Sequence, residues 1–129
     1  MHIDHIALWT KDLEQLRAFY ARYFDVQVGP KYTNSARQFE SYFLSFANGA
    51  RLEIMSRPGL AVGGSSAQDG FIGYAHVAIS VGSHALVDAL TSRLRADGIT
   101  VIDGPRTTGD GYYESVVLDP DGNRIELTI

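Results

Sequence analysis

Cysteine is absent from this 129-residue chain. That excludes a disulfide framework, a thiolate nucleophile and the thiolate ligands of structural zinc sites. Positive charge is scarce as well. Eleven Lys and Arg stand against 15 Asp and Glu, giving a formal charge of −4 and a pI near 5.4. A nucleic-acid backbone is recognised by clustered cations, so that partner is not expected. No apolar run approaches the ~20 residues of a bilayer-spanning helix. The first residues also lack the apolar stretch of a secretory signal, because Asp4, Lys11, Asp12 and Glu14 break it. A cytoplasmic protein is the expectation. Apolar residues are not lacking: at 45% they match an ordinary folded domain. The length fits one domain, or two small modules sharing a core.

What the chain does contain is a repeat. His5-Ile6-Ala7-Leu8 returns 71 residues later as His76-Val77-Ala78-Ile79. Arg51-Leu52-Glu53-Ile54 returns 73 residues later as Arg124-Ile125-Glu126-Leu127. Between these marks the first module reads as strand, helix and three strands. A strand at about 2–9 precedes Asp12 and Gln15, which are spaced as a capping box. Leu13, Leu16, Phe19, Tyr20, Tyr23 and Phe24 follow at the spacing of one apolar helix face. Val26 and Val28 open a second strand that Gly29-Pro30 closes. Segments 41–46 and 50–55 form a hairpin about Asn48-Gly49.

The second module follows the same plan. Val87, Leu90 and Leu94 match Leu16, Phe19 and Tyr23, and Gly98 suits a left-handed helix cap. Ile99 and Val101 match Val26 and Val28, while Asp121-Gly122 takes the turn position of Asn48-Gly49. Residues 57–70, rich in Gly and Ser, read as a mobile linker. The expectation is an α+β fold of two tandem βαβββ modules, 1–56 and 71–129, within a single domain spanning 1–129. Their strands would form a cup-shaped curved sheet with helices on its outer face.

Side chains alternate across a strand. His5 and Ala7 therefore oppose Ile6 and Leu8, and His76 and Ala78 oppose Val77 and Ile79. Glu53 and Glu126 likewise oppose their aliphatic neighbours. The aliphatic set fills the helix-covered face, leaving two imidazoles and two carboxylates on the open one. This nitrogen–oxygen set suits Zn²⁺, Ni²⁺, Co²⁺, Mn²⁺ or Fe²⁺. Four ligands on an octahedral ion would leave two positions for water or substrate, as in catalytic sites. The two His-to-Glu spacings are too long for a local metal motif, so the grouping depends on the inferred fold. His2 and His84 have no repeat partners and read as surface residues. Tyr112 and Tyr113 are candidates for stacking on a ligand, although strand tyrosines ordinarily pack. Arg37, Arg57 and Arg106 are candidates for holding an anionic substrate, although isolated loop arginines are ordinarily solvated.

Over its whole length the sequence resembles the vicinal oxygen chelate superfamily. That group includes glyoxalase I, bleomycin-resistance proteins, fosfomycin-resistance enzymes, methylmalonyl-CoA epimerase and extradiol dioxygenases. The resemblance lies in Asp4-His5-Ile6-Ala7, in Gly73-Tyr74-Ala75-His76-Val77-Ala78, and in Asp119-Pro-Asp-Gly-Asn-Arg-Ile-Glu126-Leu127. It implies that His5, Glu53, His76 and Glu126 are metal ligands, with Zn or Ni the first expectation. The complete His–Glu–His–Glu set is similar to that of small bacterial glyoxalase I, a lyase acting on the glutathione hemithioacetal of methylglyoxal. The resemblance implies a homodimer with shared sites, a metal-stabilised enediolate, and proton transfer by Glu126, with Glu53 serving the mirror-image face. Other superfamily reactions, namely epimerisation, thiol transfer and ring cleavage, remain open, as does metal-free binding of a small molecule. One departure stands out. Where small bacterial glyoxalases carry a glutathione-holding arginine, four residues past the first His, this chain has Trp9.

Overall fold

Two side chains start the helices. Asp12 Oδ1 accepts a hydrogen bond from Gln15 N at 2.9 Å, and Ser83 Oγ accepts one from Leu86 N at 3.3 Å. Each satisfies an amide that the first helical turn leaves without a partner. They cap α1 (Leu13–Tyr23) and α2 (His84–Ala96) in a computed structural model that describes residues 1–61 and 73–129. The chain divides into two compact units, Met1–Gly63 and Gly64–Ile129, with one helix in each. Most of the linker expected at 57–70 lies outside the described residues. No described helix is long and apolar enough to cross a membrane.

Unit 1 contains β1 (His5–Trp9), α1, β2 (Gln27–Val28), β3 (Tyr32–Asn34), β4 (Phe39–Ser45) and β5 (Arg51–Ser56). The sheet order is β1-β5-β4-β2, with β3 also paired to β4. β1 and β5 run parallel and the other pairings are antiparallel. The expected βαβββ order is present with one addition, β3 and the 3₁₀ turn Ser35–Arg37 after it. Asn34 Oδ1 caps that turn by accepting from Arg37 N at 3.2 Å. Gln38, at a left-handed φ of 49°, then reverses the chain into β4. No period-2 apolar pattern marks so short a strand, which is why alternation did not reveal it. The apolar stripe of α1 (Leu13, Leu16, Phe19, Tyr20, Tyr23) is buried on β4 and β5, whose Leu44, Leu52 and Ile54 are also buried. Each aliphatic side chain so covered contributes about 1.5–3 kcal/mol.

Unit 2 contains β6 (Val77–Ser80), α2, β7 (Val101–Thr107), β8 (Tyr113–Leu118) and β9 (Arg124–Thr128), in the sheet order β6-β9-β8-β7. Here βαβββ is complete without addition. Val87, Thr91 and Leu94 of α2 are buried with Val117, Ile125 and Leu127 of the sheet. Gly98 takes φ +82° and closes the helix, as its position suggested. Two boundaries and one strand's regularity differ from the sequence reading. His76 stands one residue before β6, Ile99 precedes β7, and β7 carries register shifts on both sides of Asp103.

Candidate metal centre

Strand register decides where the polar residues of each unit go. In unit 1 the parallel β1–β5 pairing sets His5 opposite Arg51 and Ala7 opposite Glu53. Leu52 and Ile54 are buried under α1, so His5, Ala7 and Glu53 emerge on the helix-free face. In unit 2 the parallel β6–β9 pairing sets Ala78 opposite Glu126. Ile125 and Leu127 are buried on the helix side. The two alanines occupy the same place in each unit, each opposite a glutamate and two residues after a histidine.

His5 Nε2 lies 3.8 Å from Glu53 Oε2, and His76 Nε2 lies 3.5 Å from Glu126 Oε2. Both glutamate side chains are mostly covered, at 16% and 18% exposure, while the imidazoles are at 40% and 45%. These separations exceed a hydrogen bond. Two donors about 2.0–2.2 Å from one ion, at 90–110° to each other, are themselves roughly 3–3.6 Å apart. The pair in unit 2 has that spacing and the pair in unit 1 is slightly wider.

The second ring nitrogen of His5 is held as well. Its Nδ1 lies 2.8 Å from Asp4 Oδ2, and Arg51 reaches the same oxygen at 2.5 Å. The hydrogen bond with His5, then that with Arg51, holds the Asp4 carboxyl below the ordinary carboxylate range. An ionised carboxylate only accepts, so Nδ1 donates to Asp4 and Nε2 is the nitrogen turned toward Glu53. A carboxylate behind the ring is a common support for a metal-binding His. Arg51 is itself stacked at 4.3 Å over the Phe43 ring, which also contacts His5 edge-on at 5.4 Å. Among the described residues no group of three or more His, Asp and Glu forms an ion site. Each unit brings two donors together.

A further carboxylate stands beside Glu126. Glu114, on β8, is nearly buried, with Arg106 Nη2 3.5 Å from its Oε1. Burial, then the charge of Glu126 and a hydrogen bond with it, push Glu114 above the ordinary carboxylate range, while Arg106 acts the other way. Arg106 also donates from Nε to Asp103 Oδ2 at 2.6 Å. The sequence reading missed Glu114 and Asp103. The repeat offers no hint of Glu114, because its counterpart 73 residues earlier is Ser41.

The remaining candidates fall elsewhere. Tyr113 donates to Asp88 Oδ1 at 2.6 Å and packs its ring 4.3 Å from His84, so it ties β8 to α2. Tyr112 and His2 are exposed. Arg37 and Arg57 lie in unit 1 near Trp9 and Phe39, at the wall of a separate recess.

The family model of the Glyoxalase/Bleomycin resistance protein/Dioxygenase superfamily matches residues 2–127. The chain belongs to this superfamily. Solved structures agree on the fold. SMU.1112c is 24% identical with a TM-score of 0.80, the match covering 100% of this chain and 98% of that one. A superfamily domain from Frankia sp. EAN1pec is 16% identical with a TM-score of 0.82, covering 100% and 97%. The trypanothione-dependent glyoxalase I of Leishmania major is 22% identical with a TM-score of 0.77, covering 99% and 86%. No curated protein matches the chain in sequence. The two mixed sheets, each with one helix, are the α+β architecture of the superfamily.

Proposed function

We propose that this superfamily member is a divalent-metal-dependent lyase or isomerase of the glyoxalase I type. His5 and Glu53 would supply half of a four-donor set, and His76 and Glu126 the other half. The halves would be joined within one single-domain chain or, in a homodimer, between copies. The observation that carries this reading is the recurrence of one close His–Glu pair in both units, each glutamate opposite an alanine two residues past the histidine. The donors are imidazole nitrogen and carboxylate oxygen, which fits Zn²⁺ or Ni²⁺ first and Co²⁺, Mn²⁺ or Fe²⁺ as alternatives.

When bound, such an ion supplies Lewis acidity to vicinal oxygens and steadies the negative charge of an enediolate. The chain's own residues do the rest. Asp4 holds the His5 ring with Nε2 turned toward Glu53. Glu126 takes a proton from the carbon beside the substrate carbonyl and returns it to the neighbouring one. Glu53 occupies the equivalent place for the opposite face. The hemithioacetal of methylglyoxal and glutathione is the first substrate to try, and a cytoplasmic location is the corresponding expectation.

The test is elemental analysis of gently purified protein, followed by an assay with methylglyoxal and glutathione. One ion per chain and turnover are expected. Less than about 0.1 ion per chain, with none taken up from a panel of divalent metals, removes the metal reading. Full occupancy without turnover keeps the metal centre and removes the named substrate.

A further inference from the structure

Unit 1 has a recess of about 620 Å³ lined by Trp9, Tyr32, Asn34, Arg37, Phe39 and Arg57. Alternation along β1 puts Trp9 on the same helix-free side as His5. Phe39 meets two aromatic neighbours edge-on, with centroids 6.1 Å from Trp9 and 6.0 Å from Tyr32. The Arg57 guanidinium lies 4.9 Å from the Trp9 ring centroid. Arg37 enters from the 3₁₀ turn that Asn34 caps, and the left-handed Gln38 delivers Phe39 immediately after it. A non-glycine residue in that conformation is uncommon and is kept where its surroundings demand it.

Two properties of the recess are unaccounted for by folding. Trp9 and Tyr32 leave 45% and 55% of their surface exposed, in a concave setting where water solvates aromatic faces poorly. Arg17, Arg51 and Arg106 each have a carboxylate within 4 Å, whereas Arg37 and Arg57 have none among the described residues. Guanidiniums with no carboxylate partner among the described residues, beside open aromatic rings, suit a ligand that is both anionic and flat. The guanidinium fork matches a carboxylate, and the rings match a planar body.

We propose that this recess is a subsite for a carboxylate carried on an aromatic or conjugated body. Trp9 is four residues from His5 along β1, roughly 13 Å, and one same-face step of roughly 7 Å from the row holding Glu53. A ligand anchored here by its carboxylate that ran along the sheet would reach the His–Glu pair. In that placement the inference rests on the proposed metal site; its preference for charge and shape does not.

Trp9 is the only tryptophan of the chain, so its emission reports on this recess alone. The experiment titrates the full-length protein with phenylacetate, phenylacetamide, acetate and inorganic phosphate, with and without prior chelation of metal. Saturable change of Trp9 emission with phenylacetate only, unaffected by chelation, is expected. Arg37→Gln and Arg57→Gln should each weaken it about tenfold or more, with melting curves unchanged. An equal response to the amide, to acetate or to phosphate overturns the proposal. So does no response to any of the four, or unchanged affinity in either variant. Metal content measured on the same samples separates the two readings. Protein that holds metal but not phenylacetate loses only this subsite, and protein that binds phenylacetate but no metal loses only the metal centre.

Discussion

At the scale of single residues, the consequential contact is the one behind His5. Asp4 fixes which nitrogen faces Glu53, and supporting carboxylates of this kind typically change metal affinity by 10–100-fold. Asp4 is exposed, so the lower end applies. Asp4→Asn should weaken metal binding about tenfold, read by competition with a chromophoric chelator. His5→Ala removes a donor outright and should empty the site. Glu126→Gln keeps one neutral oxygen donor but no base; it should abolish turnover while lowering metal content less than His5→Ala does. Equal metal loss in the two variants would leave Glu126 no separate role as a base. Asp119 titrates for a different reason. Burial raises its pKa, and hydrogen bonds from Asp121 N, Asn123 N and the Asn123 side chain offset this only in part. A carboxyl that keeps its proton longer in the folded state stabilises that state at low pH, and the gain is lost as pH rises through the raised value. Relative to Asp119→Asn, the wild-type protein should therefore lose stability upward from about pH 4, seen in denaturant melts at a series of pH values.

At the scale of elements, alternation and helical spacing are read from the chain because they repeat over several residues. The faces of β1, β5, α1 and α2 all follow from them. The irregular part of β7 does not. Its register shifts around Asp103 turn Arg106 toward Glu114, as strand bulges commonly re-aim side chains. Gly104 permits this. It has φ +83°, and a Cβ there would stand 2.5 Å from the Glu114 carbonyl oxygen and 2.8 Å from Ser115 Cα. Neither backbone atom yields easily. Gly104→Ala should cost on the order of 2–4 kcal/mol, measured as a lower denaturant midpoint with an unchanged slope. A shift smaller than 0.5 kcal/mol, about the size of an ordinary surface substitution, would show that β8 moves aside.

At the scale of the whole molecule, a metal that binds only folded protein adds stability by mass action. Saturation at 100 times the dissociation constant adds about 2.7 kcal/mol. Chelation should therefore lower the melting temperature, and restoring Zn²⁺ or Ni²⁺ should return it, while Mg²⁺, a hard ion that prefers oxygen and water, should not. A melting temperature indifferent to removal of the ion would mean that folded and unfolded chains bind it alike, which a site assembled by the fold does not allow.

The chain by itself determined the duplicated plan, the helix-covered faces and the four candidate donors. Each of these follows from periodicities of two and 3.6 residues and from identical residues at two offsets. Tertiary structure alone decided the reach of Arg51 to Asp4, the approach of Glu114 to Glu126 and of Arg106 to Glu114, and the gathering of Trp9, Phe39, Arg37 and Arg57 around one recess. These contacts join residues whose proximity comes from strand register, a bulge and a tight turn, and no local period in the sequence encodes where such irregular backbone will aim a side chain.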